Sequence, residues 1–199
     1  ILESYDSSFG IISLPFLFRN EDHLWHVVDG EIGQELYRPI EKHELKILAF
    51  FHNGTYNILS KHKVRYPEDM KGVKLRVPPS ALFVEVGNLW GSVVLTTDYT
   101  EVASAFYNGA IDAEIQSSIN VSEGRHYEFA DHYCQIKMSY LLEPLVMSEK
   151  TFSQLPLKDQ KIILDAAKES ANWQRLQVEE LEKEADRFLM SKGVEYFTP

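Results

Sequence analysis

The sequence holds a single cysteine, Cys134, in 199 residues, so no disulfide framework can hold the fold together. No His stands beside that thiol, and free cysteines are usually buried as small apolar groups, so Cys134 reads as structural rather than nucleophilic. No Gly-x-Gly occurs anywhere, which excludes the dinucleotide fingerprint and the kinase glycine loop. A Walker loop and a Gly-x-Ser-x-Gly elbow are missing as well, and with them phosphate-loop and serine-hydrolase chemistry of the usual kind. Apolar runs are short: Ile11 to Phe18, broken by Pro15, and Leu45 to Phe51 fall well below the roughly 20 residues that cross a bilayer. Basic residues are scarce too, 20 against 30 acidic for a formal charge of −10, an unfavourable balance for a nucleic-acid groove.

What is present is an ordinary globular composition, 44% hydrophobic and 25% charged, long enough for one large domain or two small ones. The chain opens at Ile1 with neither an initiator Met nor a basic leader, an expectation of a processed or cut N-terminus. Glu21 to Leu36 predicts a helix, with Leu24, Val27, Val28, Ile32 and Leu36 on one side and Gly30 and Gly33 weakening it. Leu45 to Phe51 predicts a buried strand, ended by the Asn53-Gly54 turn signal.

From Tyr56 onward strands and helices alternate. Pro67 opens a short helix that Gly72 stops, and Val73 to Val77 reads as a strand with Leu75 and Val77 opposite Arg76. Helix Ala81 to Trp90, strand Val93 to Thr96, a helix Glu101 to Tyr107 capped by Thr100, and strand Ala110 to Ile115 follow. This alternation predicts a parallel or mixed α/β sheet. From Pro156 to Lys192 no Gly or Pro intervenes, and Ile163, Ala167, Ala171, Val178, Leu181, Ala185 and Phe188 recur at helical steps. Such a helix is roughly 50 Å long at 1.5 Å per residue, enough to span two lobes. Val194 to Phe197 reads as a last strand.

Candidate chemistry is thin. His23-x-x-His26 shares a helical face but lacks a third ligand at a metal-site spacing, and the remaining histidines are scattered, so no metal and no cofactor is expected. Asp112 and Glu114 alternate along a strand, share a face, and could form an acid/base pair. Arg76 ends a strand just before Pro78-Pro79 and a helix. Open α/β sheets bind ligands beyond the carboxyl ends of their strands, and a guanidinium there can clamp a carboxylate through two parallel hydrogen bonds.

Three ordered stretches add to this reading: Leu14-Pro15-Phe16-Leu17-Phe18-Arg19; Pro67-Glu68-Asp69-Met70-Lys71-Gly72-Val73-Lys74-Leu75-Arg76-Val77-Pro78; and Thr100-Glu101-Val102 through Gly109-Ala110-Ile111-Asp112. Together with the long helix and strand from Leu155-Pro156 to Glu195, they resemble the solute-binding proteins of tripartite ATP-independent periplasmic (TRAP) transporters, the DctP-like family. The resemblance implies an α/β, two-lobed periplasmic-binding-protein-like fold with an interlobe ligand cleft and a long helix spanning both lobes, here truncated at both ends. Lobe I would comprise residues 1–52 and 143–181, lobe II residues 53–142 and 182–199.

It implies a periplasmic, non-enzymatic receptor that binds a small organic acid and delivers it to TRAP membrane permease subunits, without nucleic acid and without inserting in the membrane itself. The competing reading is an enzyme using Asp112 and Glu114 on a carboxylated substrate. Carried over by position, Arg76 matches the arginine that pairs with the ligand carboxylate, and Tyr99 an aromatic lining the cleft. Gln116 falls where the family usually has Asn, and Tyr56 where a second arginine often follows Asn-Gly. Ile115 replaces a frequent acidic residue. The loss of one arginine at Tyr56 implies a less anionic ligand, or one reached by a phenol hydroxyl.

Overall fold

The longest element of the computed structural model, which describes residues 2–199, is the uninterrupted helix predicted above. Ile1, the first residue of the expected lobe I, lies outside the described residues. The chain divides into two compact units, one formed by residues up to Asn53 with Leu141–Glu179, the other by Gly54–Tyr140 with Glu180–Pro199.

In the first unit, α1 (Glu21–Val28) and α2 (Glu31–Glu41) replace the single helix expected over Glu21 to Leu36. Asn20 caps α1 by accepting from the His23 amide, and the chain breaks at Asp29-Gly30 before α2 begins. Gly33 does not end α2. It is buried inside it, where a Cβ would collide with the Val28 carbonyl. β1 (Leu45–Thr55) is longer than predicted and pairs with β7 (Tyr140–Ser148) in a two-stranded sheet. Its apolar residues are mostly half-buried, a correction to the fully buried strand that its unbroken hydrophobic run suggested. Asn53-Gly54 does not end it either. The positive φ of Gly54, 83°, lets the strand bend and continue, a conformation glycine adopts without steric cost.

In the second unit a six-stranded mixed sheet has the order β4-β3-β5-β2-β6-β8, the strands being β2 (Asn57–Ser60), β3 (Lys74–Val77), β4 (Val93–Thr96), β5 (Ala113–Gln116), β6 (His132–Cys134) and β8 (Glu195–Phe197). β3 runs parallel to both β4 and β5, and β2 antiparallel to β5 and β6. The helix α3 (Ala81–Leu89) packs so closely that a Cβ on Gly87 would meet Val94 and Leu75. α4 (Val102–Tyr107) is preceded by a 3-10 turn, Tyr99–Glu101, whose N-cap is Asp98. Thr100 sits inside that turn, so it caps nothing. α5 (Ser118–Glu123) follows β5 directly, with Ser117 capping it.

α6 (Glu149–Ser153) leads into α7 (Leu157–Ser191), which runs from the first unit into the second. Its buried stripe is Ala167, Ala171 and Val178, then Ala185 and Leu189. Leu181 and Phe188, expected on this stripe, are exposed. The spacing from 167 to 178 to 189 repeats every 11 residues, 3.67 per turn, and that drift carries the inward face to Leu189 rather than Phe188. Leu189 joins Leu59, Val102, Phe106, Ile111, Val121 and Tyr133 in the core of the second unit. In the first unit Arg175 ties α7 down: its guanidinium donates to the Phe50 carbonyl and to Asp29, and lies 3.5 Å over the Trp25 ring.

Candidate functional site

The four residues singled out from the sequence all lie in the second unit, around the carboxyl ends of β3 and β5. β3 places Leu75 and Val77 on one face and Arg76 on the other, opposite Glu114 of β5 in the parallel register. Only 2% of Arg76 is exposed. Its Nε and Nη2 both donate to the Thr97 carbonyl, at 3.1 and 2.8 Å, which fixes the plane of the guanidinium. The third nitrogen, Nη1, is buried without a hydrogen-bond partner among the described residues. Burial lowers the pKa of Arg76, while Glu114, Tyr56, Asp98 and Tyr99 act in the opposite direction and favour its charge. A buried guanidinium with one donor unmatched carries an unmet hydrogen-bonding cost, and an anionic acceptor is the group that would meet it best.

Tyr99 is 37% exposed and donates its hydroxyl to the Asn120 carbonyl at 2.8 Å. Its ring tilts against His126 at 5.3 Å between centroids. Burial, with Glu114 and Glu123 adding to it, raises the pKa of its phenol, so it presents a neutral hydroxyl. Gly124 explains how these rings come so close: a Cβ there would stand 2.6 Å from both the Tyr99 hydroxyl and His126 Nε2. Gln116 ends β5, buried, and its Oε1 accepts from the Ser117 amide at 2.9 Å and from Asn120 Nδ2 at 3.1 Å. That orients the side chain so that its NH2 is the end left for a further partner. Tyr56, also buried, is fixed by edge-to-face packing on Phe83 at 4.8 Å and by backbone bonds to Ser139 and Met138.

The pairing of Asp112 with Glu114 that strand alternation allowed is not what the structure forms. Asp112 precedes β5 and lies 3.5 Å from Lys61 Nζ, whereas Glu114 is fully buried and its Oε1 lies 2.6 Å from His126 Nδ1. Each carboxylate has its own cationic or imidazole neighbour, because the peptide at Asp112 is still in the loop entering the strand and strand alternation starts only at Ala113. The Glu114–His126 pair is the part of the site that sequence reasoning missed. A signal existed, since Glu114 shares the Arg76 side of the sheet, but nothing in the spacing tied it to a histidine 12 residues away. Cys134 is buried on β6, and burial pushes its thiol up to about 11. Among the described residues no group of His, Cys, Asp and Glu could hold a metal ion, and no helix is long and apolar enough to cross a membrane.

A mixed α/β sheet with a buried, partly unmatched arginine at the carboxyl ends of its strands has the placement at which open α/β sheets hold ligands. Comparison with known families supplies the particular one: the chain belongs to the bacterial extracellular solute-binding protein family 7 (DctP), whose model matches residues 1–199. It is 29% identical over 185 residues to a solute-binding protein of Chromohalobacter salexigens, covering 92% of this chain and 55% of that one. It is 26% identical to the 2,3-diketo-L-gulonate-binding periplasmic protein of Escherichia coli, covering 94% of this chain and 58% of the other.

Among solved structures, a TRAP periplasmic solute-binding protein of Pseudomonas putida with bound D-glucuronate superposes with a TM-score of 0.94 at 30% identity, over 100% of this chain and 65% of that one. One from Xanthobacter autotrophicus with bound β-D-galacturonate gives 0.94 at 29%, over 99% and 66%. The chain thus spans a little over half the length of those curated relatives. These comparisons bear out the α/β fold class implied by the family resemblance. Members of this family bind solutes rather than transform them, and the enzyme reading of Asp112 and Glu114 gives way to that finding.

Proposed function

We propose that the protein is a periplasmic receptor for a small monocarboxylic acid, which it delivers to the membrane permease subunits of a TRAP transporter. In this reading the two units serve as the family's two lobes. The observation that carries it is Arg76: two nitrogens held on Thr97 leave Nη1 buried and open, a geometry suited to a charge-assisted bond with a carboxylate oxygen. Tyr99 covers the apolar part of the ligand, and the Gln116 amide and the Tyr56 phenol provide neutral polar contacts. With a tyrosine in place of a second arginine, a second ligand charge meets no guanidinium at position 56, and an uncompensated buried charge is strongly unfavourable. One carboxylate is therefore favoured over two. That relatives carry glucuronate and galacturonate, each a monocarboxylate, supports the same class.

The test is mass spectrometry of small molecules co-purifying with the full-length protein, together with a thermal-shift screen of organic acids. A ligand recovered unchanged, with one carboxylate and a raised melting temperature, is the expected outcome. A ligand without an acidic group would contradict the reading.

A further inference from the structure

Arg76 is not the only group around the ends of β3 and β5 with an unmet valence. Glu114 is fully buried, its Oε1 engaged by His126 Nδ1 at 2.6 Å, and its Oε2 is buried with no hydrogen-bond partner among the described residues. Arg76 and Glu114 are register partners on adjacent parallel strands, so their side chains leave the same face, with Cα atoms about one strand spacing, roughly 4.8 Å, apart. No ion pair within 4 Å joins the two among the described residues, although Glu114 is the foremost group favouring the charge on Arg76. One buried donor and one buried acceptor thus stand side by side, each left open toward something other than its neighbour. Leaving a buried acceptor unmatched is costly, and native interiors rarely do so without a functional reason.

We propose that Glu114 reads the ligand as well: its free Oε2 accepts a hydrogen bond from an O–H or N–H group that the ligand carries close to the carboxylate bound by Arg76. The inference rests on the receptor reading above and narrows its ligand class to hydroxy or amino acids. His126 holds the Glu114 carboxyl in place, and Gly124, by lacking a Cβ, admits the His126 and Tyr99 rings that enclose it. The groups that set the charge around Glu114 are Arg76 from β3, His126, and the Tyr99 phenol.

The experiment is titration calorimetry on the full-length protein with three six-carbon monocarboxylates: D-gluconate, 2-aminohexanoate, and hexanoate, which carries no donor beside its carboxylate. At least one of the first two should bind at least tenfold more tightly than hexanoate, and which one does so identifies the donor as hydroxyl or ammonium. In Glu114→Gln that preference, read as the ratio of affinities to hexanoate in the same variant, should fall by roughly 10- to 100-fold, the range for a hydrogen bond to a charged group. The comparison among acids on the unaltered protein stands even if the variant folds poorly. Equal affinity for all three acids, an equal loss for all three in the variant, or no binding of any of them overturns the proposal. If Arg76→Ala abolishes binding while Glu114→Gln changes nothing, this inference falls and the receptor reading survives. If Arg76→Ala itself has no effect, the receptor reading falls first.

Discussion

Among single residues, two buried polar atoms without hydrogen-bond partners among the described residues, Arg76 Nη1 and Glu114 Oε2, set the ends of β3 and β5 apart. Arg76 was legible in the sequence because strand alternation put it opposite Leu75 and Val77 and just before a break at Pro78, and the family motif fixed its register. Glu114 was visible as a strand carboxylate sharing a face with Asp112, but its partner His126 was not, because that residue arrives from a different segment after α5. Tyr56 in place of a second arginine leads to a direct expectation. Monocarboxylates should outcompete dicarboxylates of equal length in competition assays, and Tyr56→Arg should narrow or reverse that order. A preference for dicarboxylates in the unaltered protein would contradict it. Cys134 gives a second test: with a thiol pushed up to about 11 and buried, only about a thousandth is thiolate at pH 8. Labelling by iodoacetamide should be at least a hundredfold slower in the native protein than in urea, and comparable rates would show that β6 opens readily.

At the scale of the element, the long helix and the order of strands and helices in the second unit were readable, because hydrophobic spacing and the placement of Gly and Pro are local signals. What was not readable were features set by partners distant in sequence. β1 continues through Gly54 because Thr55 is held by Glu182 of α7, whose Oε1 accepts from its amide at 2.7 Å and its hydroxyl at 3.0 Å. The inward face of α7 reaches Leu189 because packing selects one stripe out of two plausible ones. Leu189→Ala should therefore cost about 2–5 kcal/mol of stability, whereas Leu176→Ala, at an exposed position of the same helix, should stay within about 0.5 kcal/mol. Urea denaturation measures both, and equal effects would put the wrong face of α7 inward.

Glu182 carries a pH signature as well. Burial raises its pKa above the ordinary 4.5 despite the Thr55 hydrogen bonds, so its stabilising contribution is complete below about 4.5 and is lost as pH rises through the elevated folded value. The stability difference between the unaltered protein and Glu182→Gln should shift in favour of the unaltered protein as pH falls from 7 toward 4.5. A shift in the other direction would mean that the carboxylate is better stabilised than its burial implies.

At the scale of the whole molecule, two compact α/β units share three chain crossings, at β1, at β7 and within α7, and the family to which the chain belongs is built to hold solutes. The sheet of the second unit positions one buried arginine, and we propose that this arginine anchors a ligand carboxylate. Titration calorimetry of the full-length protein with D-glucuronate or the ligand recovered from it, comparing Arg76→Ala and Arg76→Lys with the unaltered chain, tests it most directly. Truncating one partner of a buried charge pair costs about 2–5 kcal/mol, which is roughly 30- to several-thousand-fold in affinity. Arg76→Ala should lose binding by that factor, and Arg76→Lys should recover little of it, because an ammonium lacks the planar fork. Affinity unchanged in Arg76→Ala, with the variant folded as shown by its melting curve, would contradict the claim.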